Sequence, residues 1–335
     1  PGALLGHSRL VTLVPNELAL WLHWAFAYSM AAAAIHLSHL VRARMRSPWF
    51  RLGVSVPGQT FVAAGALSGG WLLLMLPVRA LLSLMSADAL LDALRWLDFV
   101  PFLVALLSIV TSSRTRPEWV RVSLGDDGPE VVSRVPVQRS RRPTPPSGER
   151  RPLRIVQITD PHLGPGQSVR SLERQIARLA ETDPDLVLLT GDFLTMESNG
   201  TPGALADAFA PLRPIAHRCF AAFGNHDHEA PDEVRSGLAA NGITLLVDDE
   251  AVVDTELGQV QIVGADWVRT ERRQHIRSLL ERIPRRPEAL RVFLLHDPLG
   301  FHDVPPGDVD LTLSGHTHGG QVGLVSLGLD WTVLS

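Results

Sequence analysis

The sequence of 335 residues contains no lysine, and all 31 of its basic residues are arginines. A nucleotide-binding P-loop needs a Gly-Lys pair, so the absence of lysine excludes that class of site. Cysteine is almost as scarce, since Cys219 is the only one. A single cysteine excludes an intramolecular disulfide and a cysteine-rich metal site. Because Cys219 follows an apolar stretch, we expect it to be a small buried hydrophobe.

The chain also lacks the features of three further functional classes. Its formal net charge is −4, so no overall basic field favours nucleic acid, and no nucleic-acid partner is expected. There is no Gly-x-Ser-x-Gly elbow, which argues against a serine hydrolase. The turn Gly164-Pro165-Gly166 lacks the third glycine of a dinucleotide-binding fingerprint.

Long apolar stretches distinguish the N-terminal part of the chain. Residues 18–41 carry no formal charge and are long enough to cross a bilayer as a helix, which takes about 20 residues. Residues 60–76 form a second candidate span. They contain Gly65-x-x-x-Gly69, a small-residue spacing that lets membrane helices approach closely.

A third candidate span is weaker, because residues 99–111 number only 13. Extending it back to Leu90 gives sufficient length but brings in three charged residues, Asp92, Arg95 and Asp98. The alternative is a buried or interfacial helix. We expect residues 1–115 to form a membrane region with about three transmembrane helices.

Two groups of arginines flank these spans and bear on orientation. They are Arg42, Arg44, Arg46 and Arg51, and then Arg114, Arg116 and Arg121. Three spans place both groups on one side of the membrane, which the positive-inside rule makes the cytoplasmic side. Two spans would place them on opposite sides. We therefore expect a multi-pass protein whose C-terminal domain faces the cytoplasm.

The sequence changes character after the membrane region. Residues 116–152 are predicted to form a linker, which is rich in proline and arginine from residue 139 onwards. Within it, apolar residues recur at even spacing over 131–137, and this pattern predicts a short strand. From Leu153 onwards, apolar runs typical of buried strands alternate with amphipathic segments typical of helices. The strands are expected at 153–159, 185–190, 218–223, 291–296 and 310–315, the helices at 168–180, 231–241 and 271–282, and shorter strands at 243–264 with Gly258 in a hairpin turn. This pattern predicts an α/β domain at 153–335, a layered β-sheet with helices outside.

Five short polar motifs each follow an apolar run. They are Asp160-Pro161-His162, Gly191-Asp192, Gly224-Asn225-His226-Asp227, His296-Asp297 and Gly315-His316-Thr317-His318-Gly319-Gly320-Gln321. Ligands gather at the carboxyl ends of strands in open α/β sheets, and Asp, Asn and His supply the oxygen and nitrogen atoms that hold divalent metals.

Each motif taken alone could have a purely structural role. Asp192 suits a helix N-cap, Asn225 suits a turn, and His296 suits an ordinary core histidine. It is the joint occurrence of all five at strand ends that predicts a two-metal centre. Asp160 and His162 are two residues apart, so in an extended chain both side chains would project to the same side, and His316 and His318 repeat this spacing. One protected aspartate is needed to bridge two cations, and Asp192 is the natural choice.

These motifs resemble those of the calcineurin-like metallophosphoesterase superfamily, over roughly residues 153 to 321. The fuller strings ITDPHLG, LTGDF, GNHDH, LLHDP and SGHTHGGQ are most similar to its membrane-anchored or exported bacterial branch and to transmembrane metallophosphoesterases. The resemblance implies a bacterial inner-membrane location. In the family the fold usually continues with further strands beyond the last motif, whereas 14 residues follow Gln321 here. The resemblance therefore implies either an incomplete second sheet or a domain cut short at its C-terminus.

The resemblance also implies a role for each motif residue. Asp160, His162 and His318 would ligate one metal, Asn225, His296 and His316 the other, and Asp192 would bridge them. His226 would be the catalytic histidine that is not a ligand, oriented by Asp227. The two divalent ions would be Mn, Fe or Zn.

The expected function is a binuclear-metal phosphoesterase that hydrolyses phosphate esters or phosphodiesters by attack of metal-activated hydroxide. Lipid-linked phosphoesters are among the substrates considered. The alternatives are a nuclease of the same superfamily and a non-catalytic metal-binding scaffold. The net charge, the missing lysines and the spans argue against the nuclease, and His226 argues against the scaffold.

Overall fold

The computed structural model describes residues 2–112, 119–125, 128–135, 151–164 and 166–318. The chain divides into two compact units, one ending at Arg116 and the other starting at Pro117. Most of the predicted linker and the end of the last motif, residues 319–321, lie outside the described residues, as does the expected C-terminal truncation.

The first unit is helical. Its helices are α1 (Gly2–Val11), α2 (Asn16–Leu40), α3 (Pro48–Leu84), α4 (Asp88–Trp96) and α5 (Val100–Ser112). Within the described part of the chain, α2 and α3 are the two helices long and apolar enough to cross a membrane. The predicted span at 60–76 is therefore the middle of a longer helix, which continues through Pro77.

Glycines bring these helices into backbone contact. An added Cβ at Gly2 of α1 would overlap the backbone of Gly65 and Gly69 in α3. At Gly58 it would lie 2.9 Å from the backbone of Ala32 and Ala33 in α2. The close helix approach predicted from Gly65-x-x-x-Gly69 is thus present, and it joins α3 to α1.

The third predicted span differs from expectation. Residues 90–111 do not form one helix, because α4 and α5 are separated by a 3₁₀ turn at Leu97–Phe99. Asp98 lies in this turn and is 1% exposed; its carboxylate accepts hydrogen bonds from Trp71 Nε1 at 3.0 Å, Arg79 at 2.6 Å and Arg9 at 3.4 Å. These donors hold a charged group inside the unit, and the turn places it there. The 13 residues of α5 rise only about 20 Å, less than the hydrocarbon core.

The second unit begins with an antiparallel pair of strands, β1 (Trp119–Gly125) and β2 (Gly128–Val135). The strand predicted at 131–137 is the end of β2. Strand β1 was not expected, although Val120, Val122 and Leu124 alternate along it with the period of a strand.

Two four-stranded sheets follow. The first has the order β3 (Ile155–Ile158), β4 (Leu186–Leu189), β5 (Cys219–Ala221), β6 (Thr244–Leu245), all parallel. The second has the order β10 (Leu311–Leu313), β9 (Leu290–Leu294), β8 (Gly258–Gly264), β7 (Asp249–Thr255), with β7 alone antiparallel to its neighbour. Every strand expected from residue 153 onwards is present, and Gly258 stands at the β7–β8 turn with φ +125°.

Successive side chains of a strand point to opposite faces of the sheet, so alternate residues belong to different layers of the core. Leu186 and Leu188 of β4 pack against Ile262 and Val292 of the second sheet, while Val187 and its alternate neighbours face helices. Those helices are α6 (Val169–Ala180), α7 (Ala204–Phe209) and α8 (Pro231–Ala239). On the far side, α9 (Arg272–Arg282) packs against the second sheet. The order is helix, sheet, sheet, helix, which confirms the predicted layered α/β fold.

Candidate metal centre

The carboxyl ends of five strands bring the predicted motifs together. Asp160 and His162 follow β3, Asp192 follows β4, Asn225 and His226 follow β5, His296 follows β9, and His316 and His318 follow β10. Parallel strands present their carboxyl ends at one edge of a sheet. The two sheets meet there, since His296 Nδ1 lies 2.6 Å from the carbonyl oxygen of Thr190, which follows β4.

A first group of ligand atoms comes from Asp160, His162 and His318. The Nε2 atoms of the two histidines lie 3.2 Å apart. Asp160 Oδ1 lies 3.9 Å from His162 Nε2 and 3.6 Å from His318 Nε2. Burial lowers the pKa of His162, which favours the neutral ring that a metal ligand requires.

A second group comes from Asp192, His296 and His316. Within each of the two groups, one donor atom per residue lies within 4.8 Å of the others. His316 Nδ1 is 2.8 Å from Asn225 Oδ1, so Asn225 lies beside this second group. The structure therefore sorts the predicted ligands into the two sets expected, while their role as ligands stays a prediction.

Asp192 lies between the two groups. Its Oδ2 atom is 3.6 Å from His162 Nε2 in the first group and 3.2 Å from His296 Nε2 in the second. Its other oxygen, Oδ1, accepts the backbone N–H of His226 at 2.8 Å. With Oδ1 held by the backbone, Oδ2 is the atom that faces both groups.

The surroundings of His296 fit a metal ligand. Its Nδ1 faces the Thr190 carbonyl, which assigns the proton to Nδ1 and leaves the lone pair on Nε2. That Nε2 atom is buried and lies 3.2 Å from Asp192 Oδ2. Burial lowers the pKa of His296, but the Asp192 carboxylate outweighs burial and raises it. A cation bound between the two would take the place of the proton that this pair attracts.

The backbone at the centre is not extended, contrary to the expectation from the two-residue spacing. Five motif residues have positive φ: Asp160 at 49°, His162 at 42°, Asp192 at 57°, His316 at 68° and His318 at 49°. Non-glycine residues in this left-handed region cost about 1–3 kcal/mol each. Contacts with surrounding residues must therefore stabilise these backbone conformations. The conformations in turn set the directions in which the five side chains enter the centre.

Asp227 has a different role from the one expected. Its carboxylate is fully buried and accepts the backbone N–H groups of Asp192, Phe193 and Gly224 at 2.7, 2.8 and 2.8 Å. Burial raises its pKa to about 6 although those three donors act in the opposite direction. The expectation that Asp227 orients His226 is therefore wrong, because its oxygens are already bound to the backbone of two loops.

Glu229 contacts the His226 ring instead, with Oε1 2.8 Å from Nδ1. The two residues are the ends of a 3₁₀ segment, His226–Glu229, in which positions i and i+3 lie on the same face. The ring of His226 lies edge-on to that of His162, with centroids 5.3 Å apart. The three-residue spacing in the string HDHE was the signal by which Glu229 could have been found from the sequence.

Comparison with known proteins agrees with this geometry. The model of the calcineurin-like phosphoesterase family matches residues 153–320, half of the chain. The chain therefore belongs to the calcineurin-like phosphoesterase family.

Curated relatives show the same likeness. The uncharacterized metallophosphoesterase YkoQ of Bacillus subtilis (strain 168) is 31% identical over 179 residues, which cover 52% of this chain and 63% of that protein. Phosphodiesterase YaeI of Escherichia coli (strain K12) is 29% identical over 181 residues, 53% of this chain and 64% of that protein. A transmembrane protein with metallophosphoesterase domain from Bos taurus is 27% identical over 256 residues, 69% of this chain and 52% of that protein. The chain thus spans less than two thirds of the length of each.

The packing at Gly224 yields a test of the centre. An added Cβ there would overlap the carboxylate and backbone N of Asp192, so Gly224→Ala should displace Asp192, lower the melting temperature and reduce the bound divalent metal. Gly166→Ala is the matched control, because a Cβ at Gly166 meets nothing within 4 Å. Calorimetry and elemental analysis of both variants check this. Equal metal content in the two variants would contradict the close packing of Gly224 on Asp192.

Proposed function

We propose that this chain is a membrane-anchored, metal-dependent phosphoesterase that hydrolyses phosphate esters or phosphodiesters at the centre described above. The observation that carries the proposal is the position of Asp192 Oδ2, within 3.6 Å of a ligand candidate in each group. A carboxylate oxygen placed in this way suits a bridge between two cations.

The residues present fit a pair of divalent ions. Asp160, His162 and His318 would hold one, Asn225, His296 and His316 the other, and Asp192 both; Mn, Fe and Zn all suit such nitrogen and oxygen donors. When bound, such ions polarise phosphoryl oxygens and lower the pKa of a water, which supplies hydroxide as the nucleophile at neutral pH.

His226 is the proposed acid of the reaction. Its Nδ1 is bound to Glu229, so Nε2 is the nitrogen left to face a substrate. The side chain is 44% exposed, and its ring lies beside that of His162 in the first ligand group. From there Nε2 can donate a proton to the departing alkoxide or stabilise charge on the phosphoryl oxygens.

The name of one relative and the apolar helices bear on the substrate class. The Escherichia coli relative is named a phosphodiesterase, which supports diesters for this chain. A membrane location would add phospholipid headgroups and other lipid-linked phosphoesters to the accessible substrates. The formal net charge of −4 disfavours a nuclease. A scaffold that only binds metal has no use for the His226–Glu229 pair, which lies beside the ligands.

The packing of the helical unit supports attachment by three crossings; α5 rises only about 20 Å, so the bilayer would thin locally around this third crossing. Asp98, just before α5, bonds to Trp71 and Arg79 in the second half of α3. Further along α5, Leu106 shares a cavity of about 430 Å³ with Val56 near the start of α3. Helix α5 therefore runs back towards the end of α3 where the first arginine group lies. This favours a phosphoesterase domain on the cytoplasmic side.

The bridging role of Asp192 is tested by Asp192→Asn. An amide has one oxygen and no charge, so we expect fewer than two divalent ions per chain and a strong loss of turnover. Asp254→Asn, an exposed position on β7, is the control. Elemental analysis that finds two ions per chain together with unchanged turnover in Asp192→Asn would refute the bridge.

His226→Ala should keep its metal but lose rate by roughly 10² to 10⁴, the usual range for a positioned acid or base. The loss should be smaller for nitrophenyl esters, whose leaving group needs little protonation. His217→Ala replaces an exposed histidine and should have wild-type kcat. Equal losses for good and poor leaving groups would contradict proton donation and leave charge stabilisation as the role of His226.

Sidedness is tested by reporter fusions after Arg121. Three crossings predict fluorescence from a cytoplasm-dependent reporter and no alkaline phosphatase activity. The reverse pattern would mean two crossings, and it would shift the accessible substrates to phosphodiesters outside the cytoplasm.

A further inference from the structure

We infer that Glu229 is a positioning residue of this centre, which holds the His226 ring so that Nε2 faces the substrate. The inference rests on the proposed phosphoesterase function. Its observation is the 2.8 Å contact between Glu229 Oε1 and His226 Nδ1, within a 3₁₀ segment that stacks the two side chains on one face.

The second oxygen of Glu229 is fixed from another loop. Glu229 Oε2 accepts a hydrogen bond from Asn199 Nδ2 at 3.0 Å. The backbone of Asn199 is held in turn by its N–H bond to the Thr195 carbonyl. Glu229 Oε2 therefore has a donor other than the His226 ring, and this second bond restrains the carboxylate whose Oε1 atom meets Nδ1.

The other two carboxylates near His226 bind backbone N–H groups and do not contact its ring. Asp227 is occupied by three backbone N–H groups. Asp192 binds the backbone N–H of His226, not its ring. The main chain at His226 is thus anchored independently, and the freedom that remains lies in the side-chain torsions. The edge-on ring of His162 restricts that freedom on one side, and the polar contact that fixes the ring nitrogens is the one with Glu229.

Exposure decides what kind of contribution to expect. The side chains of His226 and Glu229 are 44% and 41% exposed, and ion pairs in such positions add little to stability. A ring without a partner at this exposure exchanges rotamers quickly. The contact should therefore matter to the rate and hardly at all to the melting temperature.

The expected kinetic effect lies in kcat. A misplacement of about 1 Å at a reacting group can lower the rate roughly 100-fold, so Glu229→Ala should lower kcat about 10- to 100-fold with KM almost unchanged. Glu229→Gln retains an oxygen that accepts from Nδ1–H and should recover most of the loss. Both variants should keep the metal content and melting temperature of the wild type.

A double-mutant cycle between Glu229→Ala and His226→Ala is the decisive experiment, run on the full chain in detergent with added Mn²⁺ and a phenyl phosphodiester. If Glu229 acts through the ring, Glu229→Ala lowers kcat in the wild-type background and changes it less than about twofold once His226 is alanine. Glu233→Ala is the matched control, since its carboxylate accepts the backbone N–H of Gly203 and not the His226 ring; its kcat should equal that of the wild type.

The outcomes separate the two claims. Additive losses, or a Glu229→Gln variant as slow as Glu229→Ala, would overturn the positioning role while the phosphoesterase function stands. A metal-loaded wild type inactive on phosphomonoesters, phosphodiesters and lipid pyrophosphates would overturn the function and this inference with it. If Glu229→Ala has a lowered melting temperature, Glu229→Gln is compared with Glu233→Gln instead. If these two variants have the same kcat and that kcat is below the wild-type value, the result counts against positioning.

Discussion

The buried carboxylate of Asp227 binds the backbone N–H groups of Asp192, Phe193 and Gly224, and through them it ties the loop after β4 to the loop after β5. Burying a carboxylate costs free energy unless hydrogen bonds satisfy its oxygens. The three backbone N–H groups supply those hydrogen bonds to Asp227. These bonds hold Asp192 at φ 57°, in the left-handed region that is less favourable than the right-handed one for residues other than glycine. They also hold Gly224 against Asp192 so closely that no side chain fits between them. The position of the Asp192 carboxylate between the two ligand groups depends on this arrangement.

Much of this domain could be predicted from the sequence because its strands are short, apolar and buried. An apolar run such as 185–190 is typical of a strand that is buried on both faces at the centre of a sheet. Polar motifs directly after such strands therefore lie at the edge formed by the carboxyl ends of the strands. The sequence also identified which residues meet. The backbone conformation was predicted wrongly, however, because Asp160 and His162 have positive φ and are not in an extended chain. Proximity came from the topology of the strands, whereas conformation came from loop contacts that no local pattern shows.

Other differences have the same physical origin. Asp227 and Glu229 are both acidic neighbours of His226, and only the three-dimensional arrangement of donors decides between them. Asp227 meets three backbone N–H groups, while the 3₁₀ turn carries Glu229 to the ring. In the N-terminal helical unit, hydropathy alone could not show that Asp98 lies buried among Trp71 and two arginines. That cluster breaks the segment that composition suggested as one helix. These corrections depend on where hydrogen-bond donors and acceptors meet in the folded chain, which local composition does not show.

Anomalous diffraction from crystals of the full chain grown with Mn²⁺ would test the two-cation centre most directly. Ligand bonds to such ions are about 2.0–2.6 Å long, and paired ions in hydrolytic sites lie about 3.5–4 Å apart. Two anomalous peaks at that separation, both within bonding distance of Asp192, one beside His162 and the other beside His296, are the predicted result. A single peak, or two peaks of which neither contacts Asp192, would contradict a centre built around a shared carboxylate.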